Sequence, residues 1–153
     1  MKRSAKRITA SFLLTCLLSS MCSVFSIAAY YPPDDSESSE YLSSYSVAAV
    51  AESDGIIAVT VDVTAVVNAS EIGATDIYIY EGNSSNGIFT CVAHYSSDDN
   101  SNMLGTGYFY YRTAVRHQGT IGKYYFANVY VYAGNSTGGD TRIEPTNTVV
   151  AHT

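Results

Sequence analysis

The chain has no tryptophan, only three cysteines, and few basic residues, eight Lys and Arg against fourteen Asp and Glu. Four of those eight, Lys2, Arg3, Lys6 and Arg7, lie at the very start. Removing that start leaves four basic against fourteen acidic residues, a formal charge of −10. Phosphate backbones repel so acidic a chain, which excludes nucleic acid as a partner. Two of the cysteines, Cys16 and Cys22, belong to the N-terminal apolar run. Cys91 would then stand alone, which excludes an intrachain disulfide and leaves the domain to stand on its core. The alternation of Cys91 with Phe89 and Ala93 predicts a buried structural thiol.

Chemistry-bearing motifs are scarce as well. His94, His117 and His152 occur in no His-x-x-His or His-x-His spacing, and there is no Cys-x-x-Cys pair, so a transition-metal site lacks its ligands. No Gly-x-Ser-x-Gly elbow and no phosphate-cradling glycine loop is present. The run Asp98-Asp99-Asn100-Ser101-Asn102 carries oxygen ligands but lacks the carboxylate that closes a calcium loop, and it reads as solvated loop. The expectation is a chain with no catalytic residue, no metal and no cofactor.

What is present begins with a secretion signal. The basic start, the apolar run from Ile8 to Ala29 diluted by Ser and Thr, and small-residue exits after Ala28 or Ala29 define a signal peptide over 1–29. If it stayed uncleaved, it would be the chain's only link to a membrane. Residues 30–44 hold Pro32-Pro33 and four acidic residues among serines, too little apolar surface to offset the entropy of ordering, and read as a disordered spacer. These features predict a secreted or surface-associated protein whose folded part is 45–153.

That part is written in strands. Val47 to Ala51 precedes the turn Ser53-Asp54-Gly55; Ile57, Val59, Val61 and Val63 then alternate with Ala58, Thr60, Asp62 and Thr64. Residues 68–74 interrupt the pattern and read as one helical turn capped by Ser70. Ile77 and Ile79 then oppose Tyr78 and Tyr80. Further strands are expected over 88–95, 106–115 and 142–150, with 134–140 as a turn. The clearest strand is Tyr124 to Ala133. Its odd positions, Tyr125, Ala127, Val129, Val131 and Ala133, form an apolar face, and its even positions, Tyr124, Phe126, Asn128, Tyr130 and Tyr132, an aromatic-polar one. About seven strands with turns every 8 to 14 residues predict an all-β, antiparallel two-sheet sandwich.

The segment Gly122 to Asn135 with Gly138-Gly139-Asp140 resembles the penultimate strand of fibronectin type III domains, and so implies an immunoglobulin/fibronectin type III-like sandwich. The resemblance makes Tyr125 a tyrosine-corner residue, ring in the core and hydroxyl on nearby backbone. Ala69-Ser70-Glu71-Ile72-Gly73, the hairpin from Asn83 to Phe89, and the Gly122–Asp140 segment together resemble a family of small secreted Gram-positive proteins of unknown function.

Tyrosine is the one abundant aromatic, with 14 residues, more than a core of this size requires, so some must face outward. If the strand at 76–81 lies beside that at 124–133, Tyr78 and Tyr80 neighbour Tyr130 and Tyr132. These four are the candidate ligand-binding residues. Phenol rings stack on sugars or apolar side chains while their hydroxyls hydrogen-bond, at low entropic cost; equally, cross-strand tyrosines stabilise a sheet by packing alone. The function expected is a secreted, non-catalytic module binding a surface glycan or protein. Alternatives are a bacteriocin-like competition protein and a structural envelope or matrix component that assembles through sheet edges.

Overall fold

The computed structural model describes residues 39–153. The signal peptide expected over 1–29 and most of the spacer lie outside the described residues. Nine strands follow in order: β1 (Leu42–Ala51), β2 (Ile56–Ala69), β3 (Glu71–Gly82), β4 (Phe89–Ser96), β5 (Leu104–Gly105), β6 (Tyr108–Gln118), β7 (Tyr124–Asn135), β8 (Gly138–Pro145) and β9 (Val149–Val150). Among the described residues the only helical element is the short 3-10 turn Ser53–Gly55, at the position read as a hairpin turn. All pairings are antiparallel. One sheet runs β1-β2-β6; the other runs β4-β3-β7-β8, with β5 added to β3 and β9 to β7. The protein is thus an all-β sandwich, with seven long strands and two short ones.

The core lies between the sheets and follows the period-two pattern. The odd positions of β2, from Ile57 to Val63, are at most 1% exposed, and Tyr125, Ala127, Val129, Val131 and Ala133 of β7 are fully buried. Fully burying one Val or Ile side chain stabilises by roughly 1.5–3 kcal/mol, so these two strands, with Ile72, Ile77 and Ile79 of β3, supply most of the packing. Tyr125 closes one end. Its hydroxyl accepts the Thr120 amide at 2.8 Å, a bond to nearby backbone as the tyrosine-corner resemblance implies, and also donates to the Glu81 carboxylate, which that resemblance does not imply.

Four local expectations are corrected. First, no helical turn forms over 68–74. Ser70 is a bend and β3 starts at Glu71; the pattern breaks because Thr75 is an extra residue opposite β7, between the pairs Ala74–Val131 and Asp76–Tyr130. One bulged residue exchanges the inward and outward sets, so Ile72 and Ala74 are inward before it, Ile77 and Ile79 after it. Second, Cys91 is exposed. A bulge at Val92, between the pairs Ile79–Ala93 and Tyr80–Cys91, turns the thiol to the outer face. Third, residues 134–140 are not one long turn: Asn135 pairs with Gly138, so β7 and β8 meet in a two-residue connection. Fourth, β1 begins at Leu42, inside the expected spacer. The Tyr41 amide donates to Asp140 Oδ2 at 2.8 Å, and the Ser39 hydroxyl binds the same carboxylate. These bonds, Ser39 first, hold the Asp140 carboxyl below its ordinary range.

Candidate functional site

The outward face of the four-stranded sheet collects the aromatic side chains, and the register sets their neighbours. One cross-strand row reads His94 (β4), Tyr78 (β3), Asn128 (β7) and Pro145 (β8). The row on one side reads Ser96, Asp76, Tyr130 and Ile143; the row on the other reads Cys91, Tyr80 and Phe126. Because β3 and β7 are interior strands, both of their backbone edges are paired within the sheet. Anything that meets this face meets side chains only.

Tyr78 is the hub. Its ring stacks on His94, with centroids 4.2 Å apart and planes 5° from parallel, and it meets Tyr130 diagonally at 5.7 Å and 58°. His94 Nε2 lies 2.8 Å from Asp76 Oδ1. Burial beneath these neighbours, aided by the Asp76 carboxylate, pushes the Tyr78 phenol above its usual range, so it remains a neutral hydrogen-bond donor. Tyr80 instead stacks on Phe126 at 4.9 Å and 6°, and Phe89 meets Phe126 edge-on at 5.0 Å. Tyr132 stands opposite Gly73 and folds over the β7–β8 hairpin. Its phenol oxygen would lie 2.2 Å from a Cβ placed on Gly134 and 2.5 Å from one on Gly139, so the ring needs glycine beneath it.

Of the four tyrosines expected to form one platform, the structure therefore joins Tyr78 and Tyr130. It places Tyr80 in a neighbouring phenylalanine cluster and Tyr132 apart, because Tyr132 stands opposite Gly73, well along β3 from both Tyr78 and Tyr80. Asp76, His94 and Asn128 were not singled out from the sequence, although Asn128 belongs to the even-numbered face of β7. All four tyrosine rings are partly buried, and their hydroxyls have no hydrogen-bond partner among the described residues. Elsewhere five phenols are committed, Tyr41 to Thr137, Tyr95 to His117, Tyr110 to Asp62, Tyr111 to the Asn102 carbonyl and Tyr125 as above, whereas the Tyr108 and Tyr124 hydroxyls, like those of the four candidates, bond to no described residue.

Other polar groupings read as structure. Asp62 accepts Arg112 Nε and the Tyr110 hydroxyl, both at 2.5 Å, and the Arg112 hydrogen bond leads in holding its carboxyl below the ordinary range. Tyr110 and Arg112 share an outward face of β6, and their polar groups are turned onto Asp62. Between the sheets, the Tyr95 hydroxyl and His117 Nδ1 are 3.1 Å apart. Within the Asp98–Asn102 loop, the Asn102 carbonyl accepts both the Tyr111 and Thr113 hydroxyls. Among the described residues, no group of three or more His, Cys, Asp and Glu is placed to hold a metal ion, and no helix is long and apolar enough to cross a membrane.

No protein-family model matches the chain, and neither a curated protein nor a solved structure is significantly similar to it.

Proposed function

We propose that the chain is a secreted, non-catalytic binding module of fibronectin type III-like build. It recognises a surface glycan or protein through the outer face of its four-stranded sheet. The resemblance to small secreted Gram-positive proteins and the basic-apolar N-terminus support an extracellular setting. The observation that carries the reading is the Tyr78–Tyr130 pair: two adjoining, partly exposed rings whose hydroxyls are unpartnered, while five other tyrosines bond theirs to the protein. The rings pack against their neighbours while the hydroxyls stay open to solvent, where a ligand can reach them. The sheet edges favour the face over edge-to-edge assembly, since the Val92 bulge interrupts β4 and the Asn147 side chain covers part of β1.

The test is retention of purified protein on isolated Gram-positive envelope material. Tyr78→Ser combined with Tyr130→Ser should remove retention while leaving the thermal melt cooperative. Unchanged retention by that folded double variant would sink the reading.

A further inference from the structure

We infer that the face takes an uncharged, hydroxyl-rich glycan, with Asn128 as the residue that reads its hydroxyls. The inference rests on the binding-module reading above and names its ligand class. Asn128 sits at the centre of the face, directly between Tyr78 of β3 and Pro145 of β8, with Phe126 and Tyr130 before and after it on the same side of β7. It is partly buried, and its carboxamide has no hydrogen-bond partner among the described residues. A carboxamide offers an acceptor and two donors in one plane. Those groups can bond two adjacent hydroxyls of a sugar ring at once, one accepting and one donating. The flanking rings supply apolar surface for the C–H side of the same sugar, and the free Tyr78 and Tyr130 hydroxyls reach its rim.

Three features select this class. The rows that make up the face contain no lysine or arginine, the residues that recognise phosphate and carboxylate. Their one carboxylate, Asp76, is engaged by His94. Across residues 39–153, four Lys and Arg stand against eleven Asp and Glu, a net of −7, so an anionic polymer is repelled as a whole. A peptide lying in extended form gains its affinity from an open backbone edge; β3 and β7 present none, and the edge strands are broken by the Val92 bulge in β4 and by inward-side charge on β8. Rings, phenols and one carboxamide remain, and these match a neutral sugar.

Titration calorimetry of the purified protein tests this, with soluble hexasaccharides of glucose (β-1,4 and β-1,3), mannose and N-acetylglucosamine as probes and polygalacturonate as the anionic comparison. Saturable binding to at least one neutral probe is expected, with none to polygalacturonate. Asn128→Ala should weaken it about tenfold or more, as loss of a paired hydrogen bond implies. Asn128→Thr, which keeps strand propensity but not the planar amide, should do the same and guards against a folding artefact. No binding to any neutral probe, equal binding by both Asn128 variants, or preference for polygalacturonate would each overturn the proposal. If envelope retention still depends on Tyr78 and Tyr130 while every neutral probe fails, the binding module stands and the glycan assignment falls; if retention fails too, both fall.

Discussion

Two tyrosines five positions apart on β7 show how differently one residue type is used. Tyr125 is fully buried, and its hydroxyl both accepts from Thr120 and donates to Glu81. Burial first, and the Glu81 hydrogen bond next, push its phenol above the usual range. Tyr125→Phe leaves the Thr120 amide and the Glu81 carboxylate short of a partner, at a cost of about 1–3 kcal/mol in urea unfolding. Tyr130→Phe removes an unpartnered hydroxyl and should cost under about 0.5 kcal/mol; equal losses would contradict the assignment. His117 gives the pH dependence. It bonds Tyr95 of β4, lies beside the Tyr125 ring, and has Glu81 of β3 nearby. Burial lowers its pKa from the ordinary 6.5, with Glu81 opposing, so the folded state favours the neutral ring. Below about pH 6.5 the unfolded chain binds the proton more readily, and this share of stability is lost as pH falls towards the folded-state value. Melts of the protein and of His117→Gln between pH 7.5 and 5 should show a decline in the former that the variant flattens.

At the scale of elements, the sequence is legible wherever alternation runs unbroken. The inward sets of β2 and β7 follow directly from their period, and with them the sandwich and the position of Tyr125. The bulges are where that reading stops. An inserted residue such as Thr75 or Val92 is defined by the partner strand; the sequence shows the break in alternation near Thr75 but not that a bulge, rather than a turn, causes it. Each bulge has a consequence for the face. Thr75 brings the outward sets of β3 and β7 into step, so that Tyr78 lies diagonal to Tyr130. Val92 turns Cys91 outward beside Tyr80. In the folded protein Cys91 should therefore react with a thiol reagent at nearly the rate of the unfolded chain, where a buried thiol would be protected by orders of magnitude. Gly73 marks the same constraint: its φ is +143°, and an added Cβ would lie 2.1 Å from the Met103 carbonyl oxygen, so only glycine fits opposite Tyr132.

On the whole-molecule scale, an open sandwich must protect the edges of both sheets. The Asn147 carboxamide imitates a neighbouring strand for β1, accepting the Ala49 amide at 2.9 Å and donating to the Ala49 carbonyl at 3.0 Å. On β8, Asp140, Arg142 and Glu144 stand opposite the core-facing Ala133, Val131 and Val129, placing charge on the inward side of an edge strand. The β6 arginines are paired, Arg116 with Glu52 at 2.9 and 3.0 Å and Arg112 with Asp62. A monomer in sedimentation is the expected state. Asn147→Ala should cost about 1–2 kcal/mol and bring concentration-dependent association as the β1 edge opens.

The central claim is that ligand meets the face of the β4-β3-β7-β8 sheet. It is tested most directly by amide chemical shifts of the labelled protein, with and without a soluble digest of Gram-positive envelope material. The account predicts that perturbed amides cluster at Asp76–Tyr80 and Phe126–Tyr130, with His94 alongside. Shifts confined to β2, β6 or the 97–103 loop, with those segments silent, would contradict it.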